Sequence, residues 1–472
     1  MIKKLIFSLC LGVCCFPANS QTNSFTLKQC IEYAWMNNLD IRQSILNNES
    51  SNVDLRQSKT NLLPTLSASA GQNYQFGRTV DRFTNTYINQ TIRSNNVGLN
   101  ASIVLFNGFQ NHNYIKQQTA IEKSTEENIQ TIKNTVALNI SSAFLQAIQS
   151  DEMVKNAKTQ IESTSSRIER AQKMVDAGAS DLSSLLTLKA QLANEQLTLV
   201  NAENTKNAAM LNLKTYMQMS PENELEIVLP EIPAEVMSNP YSVTELYEIS
   251  LRNMPQIKSA VYQSEASQMQ TRMSKGNWSP TISLYGSIST VYSQSAKEVT
   301  GYQLTGTQII GATQNTLENV VQPVFAYQFR TIGFSKQLKD NIGQGAGINL
   351  SWNLFSGFQV QNQIQKAKIN AQISEVSLLK AKNNLLNEVN AAMNSYNAAK
   401  AKYDAARNNV EAQKLSLDYI QKRFDAGAST SLDFIQSKNN YLQAQSNEVQ
   451  AKYELVFRGL ILEYYKGNPI IL

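Results

Sequence analysis

The chain is poor in the residues that carry chemistry. It has a single histidine, His112, and four cysteines, of which Cys10, Cys14 and Cys15 fall in the N-terminal leader. Cys30 is then left alone, with no intrachain partner for a disulfide. No Cys/His spacing suits a metal, no glycine-rich loop suits a phosphate, and there is no nucleophile elbow. An enzyme is therefore not expected, nor a metal or a cofactor. The net charge is only +5, without a basic stripe interleaved with aromatics, so nucleic acid is not an expected partner. Beyond the leader, no run is long and apolar enough to predict a transmembrane helix. Proline is absent from 108–178 and from 357–427, so nothing there forbids long helices.

What is present begins with a leader. Lys3 and Lys4, the apolar run Leu5 to Phe16 and the small-residue site Ala18-Asn19-Ser20 have the form of a secretory signal over 1–20. None of its cysteines follows the small residue that lipoprotein processing prefers.

The mature chain is written twice. LFNGFQ at 105–110 returns as LFSGFQ at 354–359, and Asp-Ala-Gly-Ala-Ser at 176–180 returns at 425–429. Gly108 maps to Gly357 and Gly178 to Gly427 at one constant shift, so a large unit is used twice without insertion. A second, smaller shift relates 26–41 to 242–257 and Pro64 to Pro280. The second copy must therefore hold extra residues, and they lie around 293–342, rich in Gly, Thr, Gln and Asn. The boundaries are 21–218 for the first repeat and 242–466 for the second. Between them, at 219–241, Pro221, Pro230, Pro233 and Pro240 prevent a continuous helix. A short tail, 467–472, follows.

Between the matched landmarks the sequence favours helix. Ile140, Ala147, Val154, Ile161, Ile168 and Val175 are spaced seven apart, as are Val389, Tyr396, Tyr403, Val410, Leu417 and Phe424. A strict heptad predicts a left-handed coiled coil. A helix of about 65 residues would be roughly 100 Å long. Gly178 and Gly427 suit the positive φ that follows a helix end. Return helices are predicted from about 181 to 218, with Leu185, Leu192 and Leu199 inward. The second, from about 430 to 465, has Leu432, Ile435, Leu442 and Val449 inward.

Before each long helix the period changes to two. Val97, Leu99, Ala101, Ile103 and Leu105 alternate with polar residues over 97–105, and Ala346, Ile348, Leu350, Trp352 and Leu354 do so over 346–354. Two more such stretches follow Pro64 and Pro280. Four strands, apolar on one side and Ser/Asn on the other, fit a transmembrane barrel, although a sheet over a soluble core alternates in the same way. A sheet in lipid must close, and four strands cannot enclose a bore. The chain is then one part of an oligomeric barrel, eight strands in a dimer or twelve in a trimer. The insert around 293–342 is expected as a polar loop on the cell exterior. Tyr74, Phe76, Trp352 and Phe355 are candidates for an aromatic girdle. Each half reads helix, strand, strand, long helix, return helix.

With these motifs in place the chain resembles the TolC-type outer-membrane efflux factors. The LF-[ND]-G strand-to-helix junctions at Gly108 and Gly357 carry the likeness, with the Gly-x-[ST] hairpin tips. The resemblance implies a fold of α plus transmembrane β: a homotrimeric, twelve-stranded barrel among outer-membrane lipid, four strands per chain, continued by an α-helical coiled-coil barrel in the periplasm. It implies docking to a periplasmic adaptor protein and an inner-membrane pump of RND or ABC type, for efflux or type I secretion. The tips Asp176, Gly178, Ala179, Ser180 and Asp425, Gly427, Ala428, Ser429 become the adaptor contacts. Asp433 stands where the family places an acid at the closed entrance, and three copies would form a carboxylate ring. The constriction departs from the family pattern at Gln436 and Ser184, which replace acids, and at Ser429, which replaces a latching arginine. Asp433 also reads as an acid stabilising a helix N-terminus. The rival to a duct is a secreted coiled-coil scaffold or adhesin.

Overall fold

Helix lengths in the two halves match. The first half holds β1 (Ser24–Phe25), α1 (Leu27–Asn37), α2 (Leu39–Thr60), β2 (Thr65–Gln75), β3 (Arg78–Val80), β4 (Tyr87–Asn89), β5 (Ile92–Phe106), α3 (Gln110–Asp176) and α4 (Leu182–Tyr216). After β6 (Glu226–Ile227) come α5 (Val243–Asn253), α6 (Pro255–Gly276), β7 (Thr281–Ser293), β8 (Lys297–Ala312), β9 (Asn319–Thr331), α7 (Phe334–Asp340), β10 (Gly343–Ser351), α8 (Gln359–Asp425) and α9 (Ser431–Lys466). α1 and α5 each have 11 residues, α2 and α6 each 22, and α3 and α8 each 67. This computed structural model describes residues 24–80, 86–178, 181–228, 241–468 and 470. The signal segment, Ala179, Ser180, Pro230, Pro233 and Pro240 lie outside the described residues.

The chain forms two compact units, and each draws on both halves. One holds the segment ending at Ser50, Lys123–Tyr262 and everything from Glu375 onward; the other holds Ser51–Glu122 and Gln263–Ser374.

In the first unit the heptad positions face inward. Ile140, Ala147, Val154, Val389 and Tyr396 are buried, and the later members of both series are half-buried. Small residues between them, Ala143, Ser150, Thr164, Ala392 and Ala399, are buried too, which permits close helix approach. The largest core gathers Leu27, Ile41, Ile140, Phe144, Leu213, Leu246, Met254 and Tyr396. Cys30 lies within it, where burial pushes its thiol up to about 12, so it stays protonated. Leu432 departs from its expected place: it is 69% exposed, because the inward stripe of α9 starts at Phe434 and Ile435.

The single opening helix expected in each half is two. Asn38 breaks the first in extended conformation, and its Oδ1 accepts from Asp40 N (2.9 Å) and Ile41 N (3.1 Å), starting α2. In the second half Met254 is extended and Pro255 opens α6. Capping boxes at Thr26/Gln29 and Ser242/Glu245 fix the preceding starts.

The second unit is built on a four-stranded antiparallel sheet in the order β10-β7-β5-β2. The last strand is Gly343–Ser351 rather than 346–354: Asn353 and Leu354 lie past its end. The insert is also not a loop. It is a long hairpin, β8 paired antiparallel with β9, followed by the short helix α7.

Candidate functional site: the sheet face and the hairpin tips

Strand register decides what the sheet can face. Leu66 pairs with Ala101, Ala68 with Leu99 and Ala70 with Val97. Leu99 then meets Ile288, Ala101 meets Gly286 and Ile103 meets Leu284. Leu284 meets Ile348, and Ile282 meets Leu350. One face is therefore apolar across all four strands. The opposite face aligns Ser67 with Asn100 and Ser287, and Ser69 with Gly98 and Ser289. The apolar face is uncovered over much of its area: Leu66, Leu99, Ile288, Ile348 and Leu350 are exposed. Such a surface belongs against lipid, not water.

The band is bounded at both ends. Toward one end the same face becomes polar, where Asn95 Nδ2 donates to Gln72 Oε1 (3.1 Å) and Arg93 lies over the Tyr292 ring (5.7 Å). Toward the other, Trp352 Nε1 donates to Trp278 O (3.0 Å), and Leu354, Phe355 and Phe358 stand exposed. Trp278 and Trp352, both exposed, are of the amphipathic type enriched at membrane–water boundaries.

Both strand-to-helix junctions turn through left-handed backbone: Gly108 (φ 65), Phe109 (φ 60), Gly357 (φ 59) and Phe358 (φ 64). At Gly108 close packing adds to the requirement, since a Cβ would lie 2.5 Å from Gly276 O and 2.7 Å from Ser279 Cβ. Gly357 meets nothing within 4 Å.

The hairpin tips differ. α8 closes with Ala428 N donating to Arg423 O (2.8 Å) and Gly427 N to Phe424 O (3.0 Å), with Gly427 at φ 72. This is the Schellman arrangement. Arg423 Nη2 also donates to Ala428 O (3.0 Å). Asp433 is the third helical residue of α9 and completes a capping box. Its Oδ2 accepts from Thr430 Oγ1 (2.7 Å), Thr430 N (3.1 Å) and Ser429 Oγ (3.2 Å). The Thr430 hydroxyl and backbone amide, with smaller help from Ser429 and Arg423, hold this carboxyl below the usual carboxylate range. In the first hairpin Gly178 also takes positive φ (68), and its N–H donates to Val175 O (2.9 Å). There Asp181 occupies the cap without a side-chain cap bond, and Ser184 stands where Asp433 stands in the other.

Sequence reading missed a buried polar cluster behind the tips. Glu195 on α4 and Lys438 on α9 are 6% and 5% exposed, with Lys438 Nζ 3.4 Å from Glu195 Oε1. Thr164 Oγ1 donates to Glu195 Oε2 (2.6 Å) and accepts from Lys438 Nζ (2.6 Å). Gln160 and Gln191 donate to Glu195 Oε1 at 3.1 and 3.0 Å. Burial lowers the Lys438 pKa from the usual lysine value, opposed by the Glu195 charge. Arg167 lies over the Phe434 ring at 4.1 Å, and Phe434 stacks on Phe424 at 5.5 Å. Only a charged pair at inward helix positions could have signalled this cluster, and the two residues are far apart in sequence.

An uncovered apolar sheet with an aromatic margin, joined to long helical hairpins, defines a protein of the transmembrane β class. Among the described residues, no helix is long and apolar enough to cross a membrane. The outer membrane efflux protein profile matches residues 30–217 and 246–458, and the chain belongs to that family. The outer membrane protein TolC of Salmonella enteritidis is 20% identical over 473 residues, spanning 99% of this chain and 87% of that protein. Among solved structures, CusC superposes with a TM-score of 0.75 at 15% identity, covering 94% of this chain and 92% of that one. VceC of Vibrio cholerae gives 0.72 at 15% identity, covering 94% and 96%. The chain is thus an outer-membrane protein with helical hairpins assigned to the periplasm.

Proposed function

We propose that the protein is a passive exit duct, a homotrimer that serves a tripartite efflux pump or a type I secretion system. The observation that carries this reading is the pair of unclosed edges of the sheet. Within the chain, β5 of the first half pairs with β7 of the second. The equivalent next step joins β10 to β2, and both are edge strands. The alternating antiparallel pairings leave β10 antiparallel to β2, so β10 of one copy can pair with β2 of the next. The junctions repeat this logic. Gly108 packs on Gly276 within the chain, while Gly357 faces open space where the end of a neighbour's α2 would fit. An open edge in hydrocarbon leaves backbone groups unpaired, so the ring must close. Two copies give eight strands and a filled interior; three give a bore.

The polar Ser/Asn face then lines the lumen, and α3, α4, α8 and α9 form the periplasmic part. The tips Asp176 to Ser180 and Asp425 to Ser429 dock a periplasmic adaptor, which links the duct to an RND or ABC pump of the inner membrane. Opening parts the tips like an iris. Asp433, Gln436 and Ser184 form the constriction, with Asp433 ionised at neutral pH. No catalytic or cofactor role is assigned. Detergent-extracted protein should have the mass of three chains and conduct ions in planar bilayers. A water-soluble, folded monomer would overturn the reading.

A further inference from the structure

The β8–β9 hairpin has two unlike faces. Its register aligns Val299 with Phe329, Tyr302 with Tyr327, Leu304 with Phe325 and Ile309 with Val321. From Val299 to Ile309 this face carries no charge, Lys297 lying on it only at the hairpin base, and Tyr302 and Phe329 are 70% and 57% exposed. The other face aligns Gly301 with Gln328, Gln303 with Ala326, Gly306 with Val324 and Gln308 with Gln322. Three bulges, each just before a glycine on β8, keep Val299, Tyr302, Leu304 and Ile309 on one side. A two-stranded ribbon with such a face is not stable alone in water.

The hairpin base fixes which way each face points. Gln337 is buried, donates to Ser293 O (2.9 Å) and Ile332 O (2.7 Å), and accepts from Ser293 N (2.9 Å), so it ties both ends of the hairpin together. α7 lies on the lipid-side face of β7: Phe334 packs on Tyr292 (5.0 Å), and Thr290 Oγ1 donates to Leu338 O (2.7 Å). Thr290 and Tyr292 share that face with Ile288. From α7, Lys336 pairs with Glu298, which Arg330 also holds at 2.6 Å. Glu298 and Arg330 face one another on the Gly/Gln side. The Gly/Gln side is therefore the outward one, and the aromatic side turns toward the lumen.

We propose that the aromatic faces of the β8–β9 hairpins pack against one another, copy on copy, over the outer mouth of the duct. This rests on the threefold barrel proposed above. Twelve strands about 4.8 Å apart and tilted about 40° enclose a ring about 24 Å across. β9 has 13 residues. At about 3.3 Å per residue it reaches roughly 43 Å, well past the axis. An aromatic, self-complementary face, uncharged from Val299 to Ile309 and turned inward, meets its own equivalents there. The hairpins then form a second constriction, at the outer mouth.

The test uses the full-length protein, whose remaining mature cysteine, Cys30, is buried. Phe325→Cys and Tyr302→Cys place thiols on the aromatic face; Gln322→Cys and Gln328→Cys place them on the other. On mild oxidation of purified trimers, the first pair should yield disulfide-linked chain dimers several-fold more than the second. Replacing 299–329 by a short Gly/Ser turn, with Glu298, Arg330 and the Gln337 clamp retained, should raise single-channel conductance several-fold. A monomer in detergent overturns both the threefold reading and this one. A conducting trimer with equal or absent cross-linking and unchanged conductance overturns the hairpin packing alone. Quenching of a fluorophore on Phe325→Cys by brominated lipid would instead assign the face to the bilayer.

Discussion

Asp433, proposed above for the constriction, also serves the fold. Its carboxylate is engaged by the Thr430 hydroxyl and amide at the start of α9, and it remains exposed. Because its pKa is lowered on folding, its stabilising effect is complete above the ordinary carboxylate range and is lost as pH falls through the lowered value. Tip gating should therefore not respond to Asp433 between about pH 7 and pH 5. Asp433→Ala should frustrate the cap and weaken cation preference or polyvalent-cation block in bilayers; an unchanged conductance profile removes it from the constriction. Tyr396 is the opposite case. It is buried at a heptad position with no hydrogen-bond partner for its hydroxyl. Tyr396→Phe should therefore raise thermal stability by about 1 kcal/mol, read as a higher melting temperature of the purified protein. Gly108 was legible from its repeated motif, but its packing against Gly276 was not, since nothing local to either residue announces that contact.

At the scale of elements, periodicity carried most of the information. The heptads of α3 and α8 and most of the alternation of β2, β5, β7 and β10 were legible because one period runs through them; a bulge at Leu105 turns Phe106 instead of Leu105 onto the apolar face, and β10 stops at Ser351. The β8–β9 hairpin escaped for a physical reason. Its bulges space the residues of one face, Val299, Tyr302, Leu304, Thr307 and Ile309, unevenly, so no period of two survives on β8. On β9, Pro323 also argues against a strand, and only a ribbon with a free edge tolerates it. The breaks at Asn38 and Met254 escaped because apolar residues continue on both sides. The Glu195–Lys438 pair is a second element-scale device, joining α4 to α9 through Thr164 of α3. Glu195→Ala alone should destabilise by about 3–5 kcal/mol, while Glu195→Leu with Lys438→Met should be near neutral. A denaturant titration of both variants checks this. Equal losses would mean that the cluster is not acting as a pair.

For the whole molecule, the sequence repeat and the compact units cut the chain differently. Each half supplies strands to one unit and helical hairpins to the other, so neither half is complete alone. The central claim is that the same incompleteness holds between copies, with β10 and β2 closing a ring. The repeat assigns the register. Ala101 of β5 faces Gly286 of β7; the equivalents are Leu350 on β10 and Ala70 on β2. The most direct measurement is disulfide formation in outer membranes between chains carrying both Leu350→Cys and Ala70→Cys. The account predicts covalent dimers and trimers from that pair, and none from Leu350→Cys with Tyr74→Cys, which is out of register. Absence of links from the first pair in protein that is folded and membrane-inserted would contradict it.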